Sequence, residues 1–365
     1  MSGVPLQTAL PQAQAATRAF LDALDPARRV VVFCHFDADG LSAGALFGRT
    51  LPRLGFRDVR VIPSGRGESA FSDEARARLG ALDPQGLIVT DLGVNSRGVL
   101  AEVPTLYVDH HQPDGLPTGN VTVVSGYTWD PIPTSAWLAY DLLAPLADIE
   151  DLAWIGAVGT LGDLGDSAPW AALPGIKKRY TAKWLHEAVA LVNAARRSGA
   201  FDIETPLNLL LKAAGPKELA TDDAHGADRL RAYRAEVNAE LAAARRAAPR
   251  FSATGPYALL RLHSGAQIHP LIAQQWRGRL PGHAVIAANT GYLPGTVAFS
   301  MRTARTDLNL PALLQGIEVG DVGGSYGHGH DQASGGQLPP GAFNQVLEAL
   351  GFDEGVRVEE SLRSG

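Results

Sequence analysis

Short apolar runs recur through the first third of the chain, centred near residues 30, 59, 87, 106 and 121. Those at 30–34 (VVVFC) and 86–90 (GLIVT) show no polar alternation, the pattern of strands covered on both faces, so a mainly parallel sheet is expected. The intervening and following segments switch to helical spacing at about 10–24, 41–54, 134–146, 150–161 and 184–197. The helix at 41–54 carries Ala43, Gly44 and Ala45 near its start, small residues that let a helix lie close on a sheet. Between 215 and 250 the composition shifts to Ala, Arg and Glu with few large apolar residues, and ADRLRAYRAEVNAELAAARRA reads as a long solvated helix bridging two domains. Beyond it, 257–262, 283–288 and 296–301 are strand-like and 270–280 and 340–350 helical. The pattern predicts an α/β protein: a larger domain over 1–197, a helical linker over 198–250 and a smaller α/β domain over 251–365.

Composition narrows the class. At 365 residues and 45% hydrophobic, the chain can bury two cores. Its single cysteine, Cys34, leaves neither an internal disulfide nor a thiolate cluster for structural zinc. The N-terminus lacks the basic start and apolar stretch of a signal peptide, and no apolar segment is long enough to cross a bilayer, so a cytoplasmic location and no membrane partner are expected. A net charge of −6 taken alone argues against nucleic acid. Several of those negative charges, however, sit beside histidines, where bound dications would reverse the local sign.

The apolar run at 30–34 opens onto His35, Asp37 and Asp39, then Gly40. The run at 86–90 ends in Asp91, and the one at 105–108 in Asp109, His110 and His111. Further acidic groups follow in the segment 159–166, GTLGDLGD, where Asp163 and Asp166 compete for one role. Strands of a parallel sheet that each end in carboxylate or imidazole place those groups along the edge where open α/β folds bind ligands. Alone, Asp39 before glycine also fits a turn residue and Asp91 a helix N-cap. Together, two histidines and four aspartates exceed the needs of one ion. They suit two divalent cations about 3.5–4 Å apart sharing one carboxylate, the arrangement that clamps the oxygens of an in-line phosphoryl displacement.

In order and approximate spacing, His35-Phe36-Asp37-Ala38-Asp39-Gly40, Asp91, the Asp109-His110-His111 triplet and GTLGDLGD resemble the four motifs of the DHH phosphoesterase superfamily. Gly329-His330-Asp331-Gln332-Ala333-Ser334-Gly335, preceded by Gly323-Gly324, is similar to the glycine-rich motif of the companion DHHA1 domain. The extra His328 and the inserted Ser325-Tyr326-Gly327 lengthen that loop relative to the family pattern. The resemblance spans almost the whole chain and implies an N-terminal DHH domain with a mainly parallel sheet flanked by helices, plus a smaller C-terminal DHHA1 domain.

By that resemblance, His35, Asp37 and Asp91 would hold one Mn²⁺ and Asp39, Asp91, His110 and Asp163 a second, with Mg²⁺ as a substitute. Asp166 would be a supporting or capping group. His111 would contact the non-bridging phosphate oxygens, and Asp109 would orient a ligand imidazole. Arg302, in Ser300-Met301-Arg302, would clamp a substrate phosphate, with Gly329 and His330 beside it. The implied activity is metal-dependent hydrolysis of phosphodiester bonds in short oligonucleotides or in linear or cyclic dinucleotides, with 3′-phosphoadenosine phosphate, a phosphomonoester, as a further candidate substrate. Nothing after residue 350 is long enough for an added nucleic-acid-binding module, and the acidic balance favours a short substrate. The segment 62–68, IPSGRGE, and Asp91-Leu92-Gly93 look more like the RecJ side of the family, so a RecJ-like 5′–3′ exonuclease on single-stranded DNA is the alternative. A catalytically silent metal- or nucleotide-binding regulator is a second one. A homodimer is compatible with all three.

Overall fold

Strands without polar alternation need cover on both sides, and the first of two units supplies it with helices. The computed structural model describes residues 3–100, 102–320 and 326–359. The first unit runs to Arg196 and resumes from Phe201 to Ala232. It opens with β1 (Val4–Pro5), α1 (Leu6–Asp22), β2 (Arg29–Cys34), α2 (Ala38–Arg53), β3 (Asp58–Pro63) and α3 (Asp73–Gly80). There follow β4 (Gly86–Thr90), β5 (Thr105–Asp109), β6 (Val121–Ser125), β7 (Trp129–Asp130), α4 (Ser135–Leu143), α5 (Ala153–Leu164), α6 (Leu173–Tyr180) and α7 (Ala182–Arg197). The last elements are α8 (Glu204–Lys212), α9 (Pro216–Thr221) and the first turns of α10 (Ala227–Ala244). Five strands form an all-parallel sheet in the order β3-β2-β4-β5-β6, and β1 pairs with β7 apart from it.

That strand order fixes the site. After β3 the chain crosses to the far side of β2 and builds outward, so the order reverses between β2 and β4 and a crevice opens beyond their carboxyl ends. On one face Val31, Phe33, Leu87, Val89 and Tyr107 pack with Leu79 of α3, and on the other α2 lies against the sheet and against α4, α5 and α8. Close packing of α2 and α5 depends on small residues. A Cβ at Gly159 would stand 2.4 Å from Ala136 Cβ and 2.8 Å from Asp39 Oδ1.

The second unit comprises Arg197–Ala200 and the chain from Tyr233 onward. After the rest of α10 it contains β8 (Arg250–Phe251), β9 (Tyr257–Leu262), α11 (His269–Arg279), β10 (Ala284–Leu293), β11 (Thr296–Thr303), α12 (Leu310–Gln315), β12 (Tyr326–His330), β13 (Ala333–Leu338) and α13 (Pro340–Ala349). Its sheet runs β12-β13-β11-β10-β9-β8, with β9 and β10 parallel and the other pairs antiparallel. Alternation along the strands gives two cores. Leu259, Ile286, Phe299 and Met301 meet Phe343 and Leu347 on one face, while Leu260, Val285 and Ala287 meet Ile272, Val237 and Leu241 on the other.

Two elements differ from the sequence pattern. The expected helix forms as α10, preceded by α9 and a short 3₁₀ turn, but it is not wholly solvated: it buries Val237 and Leu241, which with Ala244 form an i, i+4, i+7 seam too sparse to stand out in an Ala-rich stretch. The glycine-rich segment around His330 is a β-hairpin, with Gly329 opposite Ser334 and His330 opposite Ala333. Its glycines serve close strand approach, since a Cβ at Gly335 would lie 2.4 Å from the Phe299 carbonyl. Gly323, Gly324 and Ser325 lie outside the described residues.

Candidate metal centre

The site is assembled by backbone geometry at three strand ends. Beyond β2, Asp37 is the N-cap of α2: its Oδ1 accepts the N–H groups of Asp39 and Gly40, both at 3.1 Å. That turns Oδ2 toward His35 Nδ1, 3.2 Å away. Asp91 follows β4 in left-handed backbone, φ +61°, a conformation that aspartate tolerates better than most residues. Its two oxygens go separate ways. Oδ2 lies 3.5 Å from His35 Nδ1, whereas Oδ1 lies 3.3 Å from His110 Nε2. One carboxylate thus faces both imidazoles, as a bridging ligand would.

Asp39 is fully buried and is held by the N-terminus of α4, whose Ser135 and Ala136 N–H groups donate to Oδ2 and Oδ1 at 2.7 and 2.9 Å. Ser135 Oγ also donates to Asp91 Oδ1 at 2.9 Å, so one helix start positions two of the acids. Asp163, in the last turn of α5, brings Oδ2 to 3.6 Å from His110 Nε2. Asp166 turns away to pair with Lys177 and His186. Asp109, the buried end of β5, accepts the Gly93 and His111 N–H groups at 2.7 and 2.6 Å and lies 3.1 Å from the His111 ring nitrogen. It therefore orients His111, an imidazole within reach of the cluster, and the turn after Asp91. The ligand atoms fall into three overlapping groups: His35, Asp37 and Asp91; Asp39, His110 and Asp163; and Asp91, His110 and His111.

The electrostatics of the cluster favour positive charge within it. Burial disfavours the imidazolium of His35, yet Asp37 and then Asp91 outweigh it and lift the group to about 10. His110 likewise reaches about 10 against its burial, through Asp91, Asp39 and Asp163. Burial and then Asp91 and Asp163 push Asp39 well above the carboxylate range, and burial with Asp37 and Asp91 brings Asp163 to about 6. Protons therefore stand in for cations. His110 Nε2 is the sharper test of fit: it is buried, makes no hydrogen bond among the described residues, and lies 3.3–3.7 Å from Asp91, Asp39 and Asp163. A nitrogen aimed between three carboxylates is directed at a point among them, and N/O donors of this kind suit Mn²⁺ or Mg²⁺.

Sequence patterning did not single out Ser135 or Ala136, and it named Gly159 only as the first residue of GTLGDLGD, without a role. The only local cue was Thr134-Ser135 before an apolar run, an N-cap signal, and Thr134 Oγ1 does accept the Trp137 N–H.

In the second unit, Ser300, Arg302, Gly329, His330 and His269 line a cavity of about 500 Å³ into which no acidic side chain projects among the described residues. Arg302 is anchored through Nη1 to the Met301 and Ser334 carbonyls at 2.9 and 3.1 Å. Burial, then the neighbouring Arg277, lowers its pKa, marking a cation short of a counter-charge. Burial and Arg302 keep His269 neutral, its pKa pushed down to about 3. The sequence-expected contacts Arg302, Gly329 and His330 thus share one pocket.

No protein-family model matches the sequence, and no curated protein does. Solved structures do. RecJ from Thermus thermophilus in complex with Mn²⁺ aligns with 93% of this chain at TM-score 0.69 and 21% identity, and the chain spans 54% of that protein. An exonuclease RecJ bound to manganese aligns at TM-score 0.66 and 20% identity over 93% of both chains. The DHH domain of a protein assigned to a family of ribosomal proteins aligns at TM-score 0.64 and 12% identity, over 94% of this chain and 90% of that one. The fold is therefore the one these RecJ and DHH-domain structures share.

Proposed function

We propose that the protein is a divalent-metal-dependent phosphodiesterase that removes nucleotides from the ends of short single-stranded oligonucleotides. The observation that carries this reading is Asp91, which turns one oxygen to His35 and the other to His110 at the switch point of a parallel sheet. Bound among these groups, two Mn²⁺ or Mg²⁺ ions would supply concentrated positive charge to the phosphoryl group and to the attacking water. His35, Asp37 and Asp91 would hold one and Asp39, Asp91, His110 and Asp163 the other.

The chain's own residues supply the rest. His111 is half exposed beside the cluster, and Asp109 fixes its ring and raises its pKa against the effect of burial. It can therefore offer a charged N–H to a non-bridging phosphate oxygen as charge builds. Ser135 and the α4 N-terminus keep Asp39 and Asp91 in place as metals and substrate exchange. In the second unit, Arg302 with Gly329 and His330 would receive a substrate phosphate; we read the first unit as catalytic and the second as substrate-binding. Protein stripped with chelator should be inactive on a 5′-phosphorylated tetranucleotide, and Mn²⁺ should restore mononucleotide release. Undiminished hydrolysis in excess EDTA would rule the reading out.

A RecJ-like exonuclease acting 5′–3′ on longer single-stranded DNA is the second reading. The end-to-end alignment with a manganese-bound exonuclease RecJ favours it.

A further inference from the structure

Phe36 is an aromatic residue between two of the metal-facing side chains, His35 and Asp37, and it is half exposed. Its ring lies 4.2 Å from the His35 ring and 5.2 Å, nearly edge-on at 71°, from that of Phe201. Phe201 is also half exposed, and its backbone sits in the left-handed region at φ +49°, which bulky residues avoid unless the surroundings hold them there. Two guanidiniums accompany the rings: Arg66 is 5.0 Å from the Phe201 centroid and Arg196 5.8 Å from that of Phe36. The charge of Arg196 also acts on Asp37.

Both rings are half-buried, each keeping part of its surface open to solvent. A strained, half-exposed aromatic pair with two arginines, one step from a cluster suited to phosphate chemistry, matches the parts of a nucleotide: a flat π surface for the base and cations for the phosphates flanking it. We propose that Phe36 and Phe201 form a stacking site for the nucleobase next to the scissile phosphate, with Arg66 and Arg196 facing the adjoining phosphates. This deepens the nuclease reading and rests on it. It makes the enzyme demand a base at that position while tolerating any of them, since every base offers a π face.

The test is equilibrium binding of 5′-phosphorylated tetranucleotides to the full chain with Ca²⁺ in place of Mn²⁺ to prevent turnover. One strand carries 2-aminopurine at successive positions and a matched set carries an abasic residue there. At one position wild type should quench 2-aminopurine and bind the base-bearing strand about tenfold more tightly than the abasic one. Phe201→Ala should remove that preference, leaving abasic binding unchanged, and Phe201→Tyr should restore it. Should Phe201→Ala fold poorly, Phe201→Leu and the base-to-abasic ratio of wild type carry the same decision. Equal affinity for base-bearing and abasic strands at every position would overturn the stacking site and leave the nuclease reading standing. Binding of neither strand would overturn both.

Discussion

At the scale of single residues, the proposed centre rests on carboxylates that lie 3.2–3.7 Å from two imidazole nitrogens. Among the described residues Asp91 alone faces both His35 and His110, so Asp91→Ala should leave a folded protein that binds fewer than two Mn²⁺ per chain, measurable by elemental analysis after gel filtration, with turnover lost. Full occupancy in that variant would show that the bridge lies elsewhere. Gly159 is a less obvious determinant. A methyl group there would press on Ala136 and on Asp39 Oδ1. Because displaced supporting contacts typically cost 10- to 100-fold in metal affinity, Gly159→Ala should weaken Mn²⁺ binding by about that range in calorimetry, with a stability loss of about 1–3 kcal/mol. Protonation adds a pH signature. His35 and His110 rise to about 10 in the metal-free fold, above their ordinary range, so the folded chain holds protons that the unfolded chain releases. Their contribution to stability is whole below about pH 6.5 and fades as pH climbs through about 10. Asp163, raised to about 6, acts in the same direction at lower pH. Chelator-treated protein should therefore lose thermal stability steadily from pH 6.5 to 10, whereas Mn²⁺, by displacing those protons, should flatten the decline. A metal-free Tm that climbs over that range would contradict the assigned shifts.

At the scale of elements, legibility in the sequence followed the range of the interactions. The strands β2, β4 and β5 could be read because two-sided burial demands unbroken apolar runs, and His35, Asp91 and His110 could be read because they follow those runs directly. The start of α4 could be read too, from Thr134-Ser135 before an apolar run, but its role in the site could not. Its contact with Asp39 spans 96 positions and is made by backbone N–H groups, which leave no residue-type signature. The β12–β13 hairpin was obscured for the opposite reason: glycines that suggest a loop are required there by the proximity of β11. The start of α4 yields its own prediction. Ser135→Ala removes one donor to Asp91 and keeps the N–H to Asp39, so metal affinity should fall modestly, by less than Asp91→Ala causes, with kcat reduced more than KM is raised. On the second sheet, Arg302→Ala should raise KM for 5′-phosphorylated substrate and leave metal content unchanged, because Arg302 and the metal-facing residues belong to different units. Loss of Mn²⁺ on that substitution would contradict the division of labour.

For the whole molecule, net charge is a poor guide to substrate length, because charge is unevenly spread. All five lysines fall between 177 and 217, and residues 173–217 hold eight Lys and Arg against three Asp and Glu, a local excess of five within a chain of net −6. Lys178, Lys183, Lys212 and Lys217 are exposed, and Lys183 and Lys217 flank the ring of Trp184 at 5.1 and 5.9 Å. A short substrate held at the metal centre would meet the arginines near it and forgo this run. It would then engage about three phosphates, and log(kcat/KM) should fall with log[salt] at a slope of about −2. Efficiency should also level off once the strand exceeds a few nucleotides, since further length adds no contact made in the transition state. A long strand drawn across the lysines would bring the count to about seven phosphates and the slope to about −5, with efficiency still rising at roughly twenty nucleotides. Graded 5′-phosphorylated RNA and DNA strands, assayed for mononucleotide release at several salt concentrations with Mn²⁺ fixed, distinguish the two. We expect the shallow slope and the early plateau. The steep slope would assign the protein the RecJ-like activity, with the five lysines as the part of the first unit that grips the strand.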